Sequence, residues 1–345
     1  MNRTRVAGLG HYLPQRVLTN FDLERMVDTS DQWIRDRTGI QERRIAAPHE
    51  TSSSMGTEAA RMALADAAID PASLDLVIAA TTTPDGLFPS IASIIQANIG
   101  ATRAGAFDIN AACVGFLSAL ATASQFIATG AAQRVLVVGA ETLSRITNWQ
   151  DRSTCVLFAD GAGALVLEAA PWGGPLGLVL RSDGSKKDAL FAEGPCGARD
   201  ADGNPPAPHL CMINMDGPAI FKFAVHAMTD AVREATAKSG LGIDDIDVLV
   251  PHQANLRIIQ GTAKALGIPA EKALVTVHKY GNTSSASIPV ALSEAVREGR
   301  VRQGDRLALT AFGGGLVWGA MLFEYSRTGE MPVTRTPALA HTPAR

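Results

Sequence analysis

The sequence predicts an α/β layer fold built from two similar halves, and three observations predict it. Apolar runs of four to six residues alternate with longer amphipathic stretches, an order that pairs strands in parallel and covers them with helices. The same series of runs returns in the second half of the chain, which reads as duplication of a folding unit. With 345 residues, 46% of them hydrophobic, the chain exceeds what one core usually serves, so two βαβ-type halves are expected to pack face to face.

Taken in order, DLVIAA (Asp75 to Ala80) is a strand-like run answered later by DVLVPH (Asp247 to His252). IASIIQANIG follows as a helix, and GAFDINAAC then leads from a strand into a helix, as ALVTVHKYGNTSS does in the second half. RVLVVGAE is answered by RLALTAFG, and FADGAGALVLE (Phe158 to Glu168) by GGGLVWGAMLFE (Gly313 to Glu324). Asn255 is a good N-cap for a helix over Leu256 to Leu266, which Gly267 ends. PWGGP (Pro171 to Pro175) and GPCGARDADGNPPAPH (Gly194 to His209) are rich in Gly, Pro and Asp and read as loops. The halves therefore fall at 1–171 and 172–326, the second with an inserted loop over 173–216. Beyond Tyr325 the chain has several prolines and no apolar period, so 327–345 is expected to be a disordered tail.

Composition excludes several classes. Lys plus Arg number 31 and Asp plus Glu 34, and the net charge of −3 offers no footprint for a long nucleic-acid contact. MNRTRVAGLGHYLPQ lacks the apolar core and cleavage site of a secretory signal, so a cytoplasmic protein is expected. Ala111 to Ala132 carries no charge and could cross a bilayer by length. Its Gly115, Ser118, Thr122, Ser124, Gln125 and Thr129 instead suit a helix buried on all sides within a protein, so no membrane partner is expected. No CxxC or Cys/His cluster points to a metal site. Cys155, in STCVLF, reads as core, and Cys196 and Cys211 flank a loop where a reducing compartment favours free thiols.

Cys113 is different, because it stands where a helix begins. Unpaired N–H groups and the helix dipole favour the thiolate there, although a small core residue would look the same. His252 directly follows an apolar strand, at the end where open α/β folds keep their sites, and a satisfied loop histidine is the plainer reading. Asn282 follows Gly281 at another strand-to-helix turn, where a cap or turn role is the simplest. Duplicated halves would bring the three turns together. A thiolate, an imidazole and a carboxamide in one crevice suit acyl transfer, as nucleophile, proton handler and donor to a developing oxyanion. The glycines of AFGGGLVWG would let backbone N–H groups approach a reacting carbonyl, or simply make a tight turn.

Together AACVGF, VPHQANLRI, YGNTSSAS, AFGGGLVWG and TSDQWIRDRTGIQERR resemble β-ketoacyl-acyl carrier protein synthase III of the thiolase superfamily, over nearly the whole chain up to about Tyr325. The resemblance implies the duplicated five-layer αβαβα thiolase-like fold and a homodimer. It implies that Cys113 takes an acyl group from acyl-coenzyme A, its oxyanion held by the N–H groups of Cys113 and Gly314, with Phe312 in the active-site wall. His252 and Asn282 would stabilise the enolate left when malonyl-acyl carrier protein loses carbon dioxide, so the product would be a 3-ketoacyl chain that starts fatty-acid synthesis. Trp33, Arg37 and Arg152 would hold the coenzyme A nucleotide, and Lys222, Arg257 and Lys264 would meet the acidic carrier protein. Thr82, Leu143, Phe158 and Leu190 would line the acyl pocket, and Phe88 would reach across the dimer to close the partner's pocket. Acyl-coenzyme A enters as substrate, and no separate cofactor or metal is implied.

Other readings share parts of this pattern. Thiolases use a second cysteine where this chain has Gly313 to Gly315, and elongating synthases a second histidine where it has Asn282. Acyltransferases or condensing enzymes of specialised polyketide metabolism share the fold. A papain-like hydrolase has the order Cys, His, Asn, but AACVGF does not match its cysteine segment. A binding paralogue would be expected to have lost Cys113.

Overall fold

The structure is a computed structural model and describes residues 3–193, 211–327 and 329. In chain order, β1 (Arg3–Tyr12) precedes a small ribbon of β2 (Arg16–Thr19) and β3 (Glu42–Ile45), with α1 (Asn20–Leu23) and α2 (Asp31–Thr38) between its strands. The first half continues with α3 (Ser52–Ala67), β4 (Leu76–Ala80), α4 (Ile91–Ile99), β5 (Gly105–Ile109), α5 (Gly115–Ala128), β6 (Arg134–Thr142) and β7 (Asp160–Ala170). The second half has β8 (Gly174–Ser182), β9 (Leu190–Phe191), β10 (Asn214–Met215), α6 (Gly217–Lys238), β11 (Val248–Pro251) and α7 (Leu256–Leu266). It closes with α8 (Val277–Tyr280), α9 (Ser287–Arg297), β12 (Arg306–Gly313) and β13 (Val317–Glu324).

Two large sheets carry the fold, a five-stranded one in the order β1-β7-β6-β4-β5 and a four-stranded one in the order β11-β12-β13-β8. β4 runs parallel to both β5 and β6, and β11 parallel to β12, while the remaining pairs are antiparallel. Side chains alternate across a strand, so each sheet feeds two cores. Ile78, Val137 and Leu165 from the first sheet and Val250, Leu309 and Met321 from the second enter a shared central core with α5 and α9. Val77, Leu136 and Val166 face outward onto α3 and α4, and Leu249, Ala308 and Leu322 face α6 and α7. The result is helices, sheet, helices, sheet, helices. The uncharged segment after Cys113 is thus the buried middle layer, and no helix among the described residues is long and apolar enough to cross a membrane.

Three expectations differ from the structure. The span 173–216 is not simply an inserted loop, because β8 lies inside it, paired with β13 from Gly174 to Ser182. The glycines and proline of GPLGLVL read as a turn, but β13 offers an open edge that satisfies the backbone of this segment. ALVTV, expected to answer GAFDI as a strand, makes only an isolated bridge, Leu249 to Ala273. The Gln253 carboxamide takes the backbone positions a ladder would use, donating to Leu274 O at 3.0 Å and accepting from Thr276 N at 2.7 Å. Thr82, expected in the acyl pocket, has its hydroxyl and N–H, each 3.0 Å from Glu141 Oε2, donating to that carboxylate. The tail 327–345, apart from 327 and 329, and Cys196 lie outside the described residues.

Candidate active site

Cys113 is the middle residue of a 3-10 turn, Ala112–Val114, that leads from β5 into α5. Ala112 adopts a left-handed φ of 44°, which bends the chain so that the turn lies against the end of β12. Gly313 makes this contact possible, since a Cβ there would lie 2.7 Å from Cys113 N. His252 follows β11, its N–H donating to Thr310 O at 2.8 Å, and Asn282 is held by Leu157 O and Ala159 N, each at 2.9 Å. One cavity of about 520 Å³ brings Cys113, His252 and Asn282 together with Phe312 and Gly313.

Neighbouring serines fix how each group presents itself. Ser287 Oγ lies 2.7 Å from His252 Nδ1 and accepts the Gln253 N–H at 3.3 Å, and in the arrangement where its hydroxyl donates, Nδ1 is the acceptor. That arrangement puts the imidazole proton on Nε2, the nitrogen left for the cavity. Asn282 Oδ1 accepts from Ser284 N at 2.9 Å, which leaves the Nδ2 group as the cavity-facing donor. Burial drives His252 down to about 3, so the ring is neutral at pH 7. Burial likewise pushes the Cys113 thiol up to about 12, and a hydrogen bond with Ser284 and the Cys113 N–H work in the opposite sense. The site is a protonated thiol beside two neutral hydrogen-bond donors.

At the mouth, the Arg37 and Arg152 guanidinium carbons lie 5.7 and 5.3 Å from the Trp33 ring centre. Arg152 also donates to Asp28 O at 2.7 Å, and it does not itself line the cavity, whereas Trp33 and Arg37 do. Phe158 and Leu190 line the wall, and Leu143 packs behind them with Phe158 and Ile213. Gly313 lines the cavity, and a Cβ on the following Gly314 would fall 2.8 Å from Leu190 O. Lys222, Arg257 and Lys264 are exposed on α6 and α7, which pack together, and Arg257 reaches the cavity rim. Phe88 is 87% exposed and lies outside this chain's own cavity. Sequence reasoning missed Ser284, Ser287 and Glu141, and missed Ile220 and Phe221, by which α6 closes one wall. The run of buried serines in YGNTSSAS was the one signal for the first two.

Family comparison agrees with this arrangement. The family model described as 3-Oxoacyl-[acyl-carrier-protein (ACP)] synthase III matches residues 107–184, and its C-terminal counterpart matches 236–325. A β-ketoacyl-[acyl-carrier-protein] synthase III of Symbiobacterium thermophilum is 52% identical over 325 residues, 93% of this chain and 98% of the relative. One from Desulfitobacterium hafniense is 51% identical over 325 residues, 94% of this chain and 98% of the relative. The crystal structure of the synthase III from Aquifex aeolicus superposes with a TM-score of 0.87 at 49% identity, covering 93% of this chain and 100% of that one. Likeness of this depth, over more than nine-tenths of the chain, is membership: the chain belongs to the β-ketoacyl-[acyl-carrier-protein] synthase III family of thiolase-fold acyltransferases.

Proposed function

We propose that this chain condenses a short acyl-coenzyme A with malonyl-acyl carrier protein, giving a 3-ketoacyl-acyl carrier protein, coenzyme A and carbon dioxide, the step that starts fatty-acid synthesis. The observation that carries the reading is one cavity in which a thiol meets two neutral donors, His252 Nε2–H and Asn282 Nδ2. In the first half-reaction Cys113 sulfur attacks the thioester carbonyl, the carbon–sulfur bond to coenzyme A breaks, and coenzyme A leaves with the thiol proton. In the second, malonyl loses carbon dioxide and the electron pair of the broken bond passes into an enolate, whose oxygen accepts from His252 and Asn282. The enolate carbon attacks the Cys113 thioester carbonyl, the carbon–sulfur bond to Cys113 breaks, and the released thiolate takes a proton from water. Decarboxylation generates the nucleophile without a base, which fits an imidazole held neutral by burial.

Acyl-coenzyme A is substrate, the steps balance without a further cofactor, and the reaction is placed in the cytoplasm. The nucleotide of coenzyme A is assigned to Trp33, Arg37 and Arg152, whose face-on cluster suits a purine and phosphates. Lys222, Arg257 and Lys264 offer an exposed basic face to an acidic carrier protein. Phe88 and Leu87, 87% and 76% exposed, support a homodimer in which the partner covers them. The test incubates wild type and Cys113→Ala with acetyl-, isobutyryl-, octanoyl- and benzoyl-coenzyme A plus malonyl-acyl carrier protein, recording intact masses of both proteins. Acylation of wild type alone, with the carrier gaining that acyl group and losing carbon dioxide, is the expected result. An acylated enzyme beside an unchanged malonyl carrier would overturn the condensation.

A further inference from the structure

Glu141 is a fully buried carboxylate near the end of β6 that no step of the proposed reaction uses. The groups that reach it are Thr83 Oγ1 at 2.6 Å, Ser285 Oγ at 2.8 Å, the Thr82 N–H and Oγ1 at 3.0 Å and Thr81 Oγ1 at 3.4 Å, with Ala80 O a second acceptor for the Ser285 hydroxyl at 2.9 Å. Thr83 Oγ1 already accepts the Thr142 N–H at 2.8 Å, which turns its own proton toward the carboxylate. Among the described residues no lysine or arginine pairs with Glu141; burial raises its pKa, and these donors work against that rise. The threonines follow β4 in the first half of the chain, whereas Ser285 belongs to the turn that opens α9 in the second.

That turn touches the reacting groups. Ser284 donates its N–H to Asn282 Oδ1 at 2.9 Å, its side chain works against the burial that raises the Cys113 thiol, and it adopts a left-handed φ of 46° that needs outside support. The turn also lies directly on β6, since a Cβ at Gly139 would fall 2.4 Å from Ser285 O. We propose that Glu141 is a positioning residue that, through Ser285, clamps the turn of the second half to the first and so sets Ser284 and Asn282 against Cys113. Filling this place with an apolar side chain would cost less desolvation, but it would leave the Thr82, Thr83 and Ser285 donors without a shared acceptor.

Burial is the main force that raises the Cys113 thiol, and the Glu141 carboxylate, when ionised, adds to it by opposing the thiolate. The other ionisable group beside the sulfur is His252. The turn 283–286, α5 and the near ends of β12 and β13 carry no charge, and Arg37 and Arg257 stand at the cavity rim. Glu141→Gln keeps the shape and removes the charge. Alkylation of Cys113 by iodoacetamide, followed at fixed pH between 7 and 9, should then run roughly 3–10-fold faster than in wild type, since each unit of thiol pKa changes the thiolate fraction tenfold. Condensation should fall ~10–100-fold, because Asn282 and Ser284 lose their anchor. Ser285→Ala, which removes the hydroxyl contacts with Glu141 and Ala80 O and keeps the carboxyl group, should lower condensation ~10-fold without the faster alkylation expected of Glu141→Gln.

Unchanged alkylation in a folded Glu141→Gln protein would overturn the inference even if activity fell, since a merely structural residue would lower activity alone. If Glu141→Gln does not fold, wild-type condensation by Ser285→Ala would overturn it as well. The inference rests on Cys113 as the acylated residue. Alkylation needs no acyl substrate, so its outcome separates from failure of the condensation reading, which Cys113→Ala tests.

Discussion

Gly313→Ala adds one methyl group at the tightest point of the site. The new Cβ would fall 2.7 Å from Cys113 N and 3.2 Å from Cys113 Cβ, with Ala112 Cβ at 3.1 Å. All three contacts are to backbone or to Cβ atoms of one turn, so no flexible side chain can swing away and the 3-10 turn itself must retreat by a few tenths of an ångström. Overpacking of this kind costs about 1–3 kcal/mol. Displacing a reacting group by up to 1 Å lowers a rate by as much as ~10²-fold. We therefore expect acylation of Cys113 by acetyl-coenzyme A, timed by intact mass, to slow ~10–100-fold with a lower thermal midpoint. Gly184→Ala, where nothing lies within 4 Å of the added carbon, is the control and should change neither. Acylation by Gly313→Ala within about threefold of wild type, at an unchanged midpoint, would refute the claim that this glycine sets the sulfur's position.

Three further outcomes follow from other parts of the molecule. His252 titrates at about 3 when folded against 6.5 unfolded, so the unfolded chain binds more protons between those values and stability must fall as pH drops from about 6.5 toward 3. Urea unfolding of His252→Asn across pH 4–7 should lack that share of the decline, about 3 kcal/mol over that window, and an identical slope would contradict the burial argument. Arg43 is fully buried, donating to Leu18 O, Asn20 Oδ1 and Val156 O at 3.1, 2.8 and 3.0 Å. Arg43→Met should destabilise by about 3 kcal/mol in the same assay, because three acceptors lose their donor. Trp33→Ala should raise KM for acyl-coenzyme A roughly tenfold with little change in kcat, the loss of one stacking surface.

What the sequence disclosed was local or repeated. The helix Leu256–Leu266 was legible to the residue because Asn255 caps Arg257 N at 2.8 Å and Gly267 turns left-handed at φ 73°, both within one turn of its ends. Cys113, His252 and Asn282 were legible because each closes a run that the duplication repeats. Glu141 and Ser287 were not, since their meaning lies in partners 144 and 35 residues away. Glu141 ends the run RVLVVGAE and looked like an ordinary strand terminus. Thr82 misled for the same reason: nothing nearby in sequence shows that a distant carboxylate would claim its hydroxyl. β8 was hidden by glycine and proline, whose turn preference yields when an unsatisfied strand edge lies alongside.

Burial, which shapes the cavity, also decides which cysteine chemistry it can support. A cysteine hydrolase keeps a thiolate beside an imidazolium, a pair whose charges stabilise each other. Here the same desolvation moves the two groups apart, the Cys113 thiol up to about 12 and His252 down to about 3, so transferring a proton from one to the other is strongly unfavourable. His252 Nδ1 is already occupied by Ser287, and its remaining N–H can donate but not receive. Such a ring is a poor base for activating water and a good donor to an oxyanion. The order Cys, His, Asn, which the chain shares with papain-like hydrolases, is thus carried in an environment that suppresses hydrolysis and favours a substrate that brings its own carbanion by losing carbon dioxide.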